Sequence, residues 1–158
     1  EITTRLVGSE MCIRDSFIAN EGYWTIHKGE AEGTIIGGNL GTFDLLLGSP
    51  YRPAFKKNTV LFVENCFGSA GDDTTFLREL QALAYQPDFI NVKAVVIGRF
   101  QKASEISREK LEYIINSIPQ LKELPVIANV DFGHTTPMLT LPIGGRCEIT
   151  SDGIQVQI

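Results

Sequence analysis

The strongest constraint on the fold is a set of three short apolar runs: Thr59-Val60-Leu61-Phe62-Val63, Val92-Lys93-Ala94-Val95-Val96-Ile97-Gly98 and Pro125-Val126-Ile127-Ala128. Nearly continuous apolar runs of this length, bounded by turn residues, mark strands buried on both faces. Between the first two, Asp72 or Asp73 is placed to cap a helix whose apolar positions Phe76, Leu77, Leu80, Leu83 and Ala84 recur at spacings of three and four. Between the second and third, Ser107 opens another helix with Leu111, Ile114, Ile115 and Ile118 on one face, stopped near Pro119. Strand, helix, strand, helix, strand at these lengths implies right-handed crossovers and a largely parallel sheet.

The flanks change character. Tyr23-Trp24-Thr25-Ile26 and Gly33-Thr34-Ile35-Ile36-Gly37-Gly38 suit strands, separated by the polar turn Lys28-Gly29-Glu30. Thr42 is placed to cap a short helix that Gly48 and Pro50 close. Glycines ahead of a helix can cradle an anion. The spacing of Gly37, Gly38 and Gly41 matches neither the dinucleotide fingerprint nor a phosphate loop, which favours a tight packing turn over phosphate binding. Near the end, Leu139-Thr140-Leu141 and Cys147-Glu148-Ile149-Thr150 alternate, and Ser151-Asp152-Gly153 reads as a hairpin turn before Ile154 to Ile158. The expected class is α/β: a largely parallel central sheet, flanking helices and a C-terminal β-hairpin.

With 158 residues, of which 43% are hydrophobic, the chain supports one domain that buries about two-thirds of its unfolded surface. A net charge of -5 with scattered Lys and Arg gives no basic stripe for a phosphate backbone, so nucleic acid is not an expected partner. No run approaches the roughly 18 apolar residues of a membrane span, and no signal peptide is legible. The chain reads as soluble, with the cytoplasm as default compartment. Cys12, Cys66 and Cys147 support neither a disulfide framework nor a zinc site. Cys66, beside Glu64, is a conceivable nucleophile, but a free cysteine more often acts as a small buried hydrophobe. Residues 1 to 16 show no clear period, and Gly8 to Ser16 resembles a translated sequencing-adapter read. The natural protein is then expected to enter near Phe17, the alternative being an ordinary terminus; both readings predict little packing there.

Two residues carry the chemistry. Glu64 directly follows the first apolar run, and His134 lies just past the third, in Asn129-Val130-Asp131-Phe132-Gly133-His134-Thr135-Thr136-Pro137. In a parallel sheet both emerge along the same edge, where ligands of open α/β sheets sit. A carboxylate that accepts from one imidazole nitrogen leaves the other to activate a nucleophile. That is two-thirds of a charge relay. The plainer alternatives are a solvated strand-end acid and a hydrogen-bonded turn histidine. None of Ser49, Ser69, Ser104, Ser107 or Ser117 lies in a Gly-x-Ser-x-Gly nucleophile turn.

The run Gly29-Glu30-Ala31-Glu32-Gly33 with Gly37-Gly38-Asn39-Leu40, then Leu61-Phe62-Val63-Glu64, then Gly133-His134 and Leu139-Thr140-Leu141-Pro142-Ile143-Gly144-Gly145, resembles the C-terminal domain of the LD-carboxypeptidase family of serine peptidases. The resemblance extends from about Tyr23 to Ile149, and Asn129 to Pro137 looks more like the microcin C self-immunity branch than the peptidoglycan-recycling branch. It implies a swivelling β/β/α domain that supplies Glu64 and His134 to a Ser-Glu-His triad, while an N-terminal domain absent from this chain supplies the serine. Its substrates would be a cell-wall tetrapeptide that releases a terminal D-alanine, or a peptidyl-nucleotide toxin, with no metal or organic cofactor. By the same resemblance, Asn39 and Asn65 are candidate substrate contacts. Asn65-Cys66-Phe67-Gly68 departs from the more acidic loop of the family, which puts contacts there in doubt.

Trp24 is weighed both as a platform stacking on a substrate ring and as core, with core favoured. His27, among Lys28, Glu30 and Glu32, reads as a solvated surface residue. The expectation is a fragment inactive by itself, whose exposed docking face leaves room for a homodimer. The rival expectation is a non-catalytic binding or accessory domain of the same fold.

Overall fold

Adjacent in one sheet, the three apolar runs become parallel strands in the computed structural model, which describes residues 3–5, 22–66, 72–150 and 153–157. In chain order the strands are β1 (Thr3–Arg5), β2 (Trp24–His27), β3 (Ala31–Asn39), β4 (Thr59–Glu64), β5 (Val92–Gly98), β6 (Val126–Val130), β7 (Arg146–Thr150) and β8 (Gly153–Gln157). The helices are α1 (Leu40–Asp44), α2 (Asp72–Ala84) and α3 (Arg108–Ser117). The sheet order is β1-β8-β7-β3-β4-β5-β6-β2. Strands β3 to β6 run parallel, β2 closes one side antiparallel to β6, and β7, β8 and β1 extend the other side antiparallel.

Alternation along each strand divides the core in two. Leu61 and Val63 of β4, Val95 and Ile97 of β5, and Val126 and Ala128 of β6 pack against Leu40, Phe76, Leu80, Leu83, Leu111 and Ile115 of the helices. Their neighbours Val60, Phe62, Ala94, Val96 and Ile127 face the opposite side. The curl of the sheet covers that side, bringing Cys147, Ile149, Ile154 and Val156 of the hairpin against it together with Phe132. Because strands β4 to β6 have apolar partners on both faces, they read as runs and not as alternations. Each fully buried Leu, Ile, Val or Phe contributes about 1.5–3 kcal/mol.

Local chemistry places the helices. Ser107 caps α3, its Oγ accepting from Lys110 N at 3.3 Å. Asp72 and Asp73 lie in the first turn of α2, where the positive end of the helix dipole favours carboxylates. For α1 the expectation needs correcting: Asn39, not Thr42, is the cap, its Oδ1 accepting from Thr42 N at 3.0 Å and Thr42 Oγ1 at 2.9 Å. Strand β3 stays paired with β4 as far as Asn39, so the chain turns at once and Thr42 falls at the third helical position, where its N–H needs a cap acceptor. The helix ends at Asp44, and turns carry the chain on to Gly48 and Pro50.

Gly37 is a packing glycine. A Cβ there would lie 1.7 Å from Phe62 O, so the two backbones approach to a distance no side chain allows. The C-terminal hairpin forms as expected, with Cys147 opposite Val156 and Ile149 opposite Ile154; residues 151 and 152 of its turn lie outside the described residues. Leu139–Leu141 is not a strand. Its leucines pack on the sheet-side core while Leu139 N bonds Asp131 O, so burial without a ladder partner produced the alternation. Within the segment expected to pack little, Thr3–Arg5 pairs with Gln155–Gln157 of β8, and the rest of residues 1 to 16 lies outside the described residues. No described helix is long and apolar enough to cross a membrane.

Candidate active site

Four parallel strands end together. Asn39 is in register with Glu64, and Gly98 with Val130, so the carboxyl ends of β3 to β6 form one edge. Strand β6 carries a bulge there, since pairing steps from Val96–Ile127 to Gly98–Val130. Asn129 absorbs the extra residue with φ +59, a conformation asparagine tolerates, and its Nδ2 donates to Gly22 O at 2.8 Å.

Glu64 is 5% exposed. Its side chain passes between two glycines. A Cβ on Gly98 would lie 2.8 Å from Glu64 Cβ, and one on Gly133 would lie 2.7 Å from Glu64 Oε2. Across that gap His134 Nδ1 lies 2.7 Å from Glu64 Oε2. An ionised carboxylate only accepts, so Nδ1 carries the proton of this contact, and in the neutral ring Nε2 is the nitrogen with a lone pair. The His134 side chain is 48% exposed, against 7% for Glu64. A buried acceptor thus orients a ring whose free nitrogen can reach a ligand.

Arg99, next after Gly98, forms an ion pair with Asp131, their side chains 13% and 12% exposed. Burial first, then the Asp131 charge, raises the Tyr23 phenol above its ordinary value against the opposing pull of Arg99. Neither Arg99 nor Asp131 is singled out by sequence reasoning. The available signal is position: Ile97-Gly98-Arg99 leaves a buried strand at the same edge as Glu64.

Trp24 is half-buried on β2, opposite Ala128, and packs against the helix-side core. It also borders a cleft of about 370 Å³ with Arg99, Phe100, Lys102, Asn129 and Thr135, next to His134. Asn39 lies on the same edge but commits its Oδ1 to capping α1. Asn65 is buried, and its Nδ2 donates to Glu79 Oε2 at 2.7 Å, toward α2. Beside it, burial and the neighbouring Glu79 charge push the Asp44 carboxyl up to about 7.

The remaining nucleophile candidates are engaged in other contacts, although Ser107 also lines the cleft beside His134. Ser104 and Ser117 donate to Gln101 O and Ile114 O, Ser107 caps α3, and Ser49 Oγ accepts from Tyr51 N. None of these four is bonded to His134, and Ser69 lies outside the described residues. Cys66 is exposed, contrary to the buried reading, because β4 ends two residues before it. Burial, with Glu148 nearby, pushes the buried Cys147 thiol up to about 12, far from a thiolate. His27 is not a free surface residue. Its Nδ1 faces Leu121 O and Leu124 O at 3.2 Å and its Nε2 faces Asn116 Oδ1 at 3.2 Å, tying β2 to the end of α3 and the segment after it. Among the described residues no group of three or more His, Cys, Asp or Glu could hold a metal ion.

These features define a mixed α/β domain with a carboxylate–imidazole pair at the carboxyl edge of its parallel strands. The family model of the LD-carboxypeptidase C-terminal domain matches residues 32–149, and the chain belongs to that family. It is 46% identical over 136 residues to a Treponema pallidum protein named "Putative carboxypeptidase", covering 86% of this chain and 40% of that protein. It resembles the crystal structure of an MccF-like protein from Bacillus anthracis with a TM-score of 0.81 and 44% identity, over 89% of this chain and 44% of that one. The microcin C7 self-immunity protein MccF of Escherichia coli is 30% identical over 132 residues, 83% of this chain and 38% of that protein. A structure of MccF in complex with aspartyl sulfamoyl adenosine gives a TM-score of 0.67 and 26% identity, over 96% of this chain and 45% of that one. The chain therefore spans about two-fifths of the length of the curated relatives it matches.

Proposed function

We propose that this chain is the histidine-bearing part of a serine carboxypeptidase-type amidase, which cleaves an amide near the C-terminus of a peptide. The observation that carries the reading is the 2.7 Å contact between His134 Nδ1 and a buried Glu64 carboxylate at the edge where the parallel strands end. In this reading His134 Nε2 takes the proton from a serine hydroxyl, then returns it to the leaving amine, while Glu64 stabilises the imidazolium. The serine comes from a further domain, and residues 17–158 act as the C-terminal domain. No described serine is hydrogen-bonded to the imidazole, so the chain alone is expected to be inactive.

The substrate is a cell-wall tetrapeptide or a peptidyl-nucleotide. The second is favoured by the aminoacyl sulfamoyl nucleoside held by MccF, and by the half-buried Trp24 on a cleft beside His134. The decisive experiment extends the reading frame upstream and assays the full-length product against both substrate classes. A frame without a nucleophile-bearing domain, or turnover by the isolated chain, would sink the proposal.

A further inference from the structure

His134 lies in an irregular stretch between β6 and β7, so neither a helix nor a strand fixes it. Glu64 alone cannot, because its single contact leaves the backbone of that stretch free to rotate the ring away. Phe132 is buried in the core and Leu139 N bonds Asp131 O, and a further set of ties converges from the segment after β5. Arg99 N donates to Val130 O at 3.0 Å, and the Arg99 guanidinium pairs through Nη2 with Asp131, three residues before the histidine. Its Nη1 reaches Thr136 O at 3.4 Å, two residues after it. Gln101 Nε2 donates to the His134 carbonyl itself at 3.3 Å.

We propose that Arg99 and Asp131, with Gln101, are positioning residues that hold the His134 imidazole against Glu64. This rests on the amidase reading above for its functional meaning, but its geometry does not depend on turnover. Arg99 could instead be a cation that binds an anionic substrate group. Its contacts argue against that: Nη2 is committed to Asp131 and Nη1 points to Thr136 O. A pair this sheltered is coupled more strongly than a surface ion pair, and removing one partner strands the other charge.

The test reads the imidazole directly in the 158-residue chain, by long-range 1H–15N NMR at alkaline pH. The chain has two histidines, so a His27→Gln control assigns the signals. The wild-type His134 ring is expected as the Nδ1-protonated tautomer. Arg99→Met is expected to shift it to the Nε2-protonated form that free imidazole side chains prefer. Arg52→Met, which breaks the comparably sheltered Arg52–Asp88 pair away from the site, should leave it unchanged. Gln101→Ala touches no buried ion pair; it should give a partial shift and carries the test if Arg99→Met does not fold. An unaltered His134 tautomer in folded Arg99→Met, or in Gln101→Ala where that is the only folded variant, overturns the proposal. So does an equal loss in Arg52→Met. Absence of amidase activity in the full-length protein would defeat the functional reading and leave this result standing.

Discussion

Gly133 and Glu64 share a space that admits only one side chain: a methyl group on Gly133 would lie 2.7 Å from the Glu64 carboxylate oxygen and 2.9 Å from its Cβ and Cγ. The glycine also holds φ +100, which L side chains rarely adopt. The carboxylate can reach His134 only because the residue before the histidine has no side chain.

Gly133→Ala is therefore expected to destabilise the chain by more than the roughly 1–2 kcal/mol of left-handed backbone strain, since the clash adds to it. Urea unfolding measures this. A variant as stable as wild type, with the His134–Glu64 bond intact, would contradict the packing argument.

In the full-length protein, His134→Ala and Glu64→Gln are each expected to lower kcat by roughly a hundred- to ten-thousandfold, the usual contribution of general acid–base groups. The double variant should lose little more than the worse single one, because residues that act as a unit are not additive. Unchanged turnover in either single variant removes that residue from the mechanism.

Asp44 gives a pH signature. Its folded carboxyl, raised by burial and by Glu79 from an ordinary 3.8 to about 7, binds a proton more tightly than the unfolded one. Its contribution to stability is thus fully present below 3.8 and is lost as pH rises toward 7. Asp44→Asn should be spared that loss, so its urea midpoint should gain on wild type between pH 4.5 and 7.5. Parallel pH profiles for the two proteins would refute the assignment.

The cysteines should separate by reactivity. Cys147 is buried, with its thiol pushed up to about 12, whereas Cys66 is exposed. Brief alkylation of the native chain, mapped by mass spectrometry, is expected to label Cys66 and to reach Cys147 only after denaturation. Rapid native labelling of Cys147 would contradict the core assignment.

The central fold was legible because burial on both faces leaves a mark in the residues themselves. Val92–Gly98 is bounded in the structure as in the sequence, and Ser107 caps its helix because a serine before an apolar-periodic run has few other uses. Cap identity at α1 was not legible, since the choice between Asn39 and Thr42 depends on how far β3 stays paired with β4. Leu139–Leu141 misled for a related reason: alternation records which side chains are buried, not whether the backbone has a ladder partner.

The sequence by itself determined the class of fold and brought Glu64 and His134 to one edge, because strand direction and strand ends follow from local pattern. Only the tertiary structure decided that the two side chains meet, that Asn65 turns instead to Glu79, and that Arg99 grips Asp131. Those outcomes depend on distances between residues far apart in the chain. A glycine's missing Cβ, at Gly98 or Gly133, acquires meaning only when another strand delivers a side chain into the space it leaves.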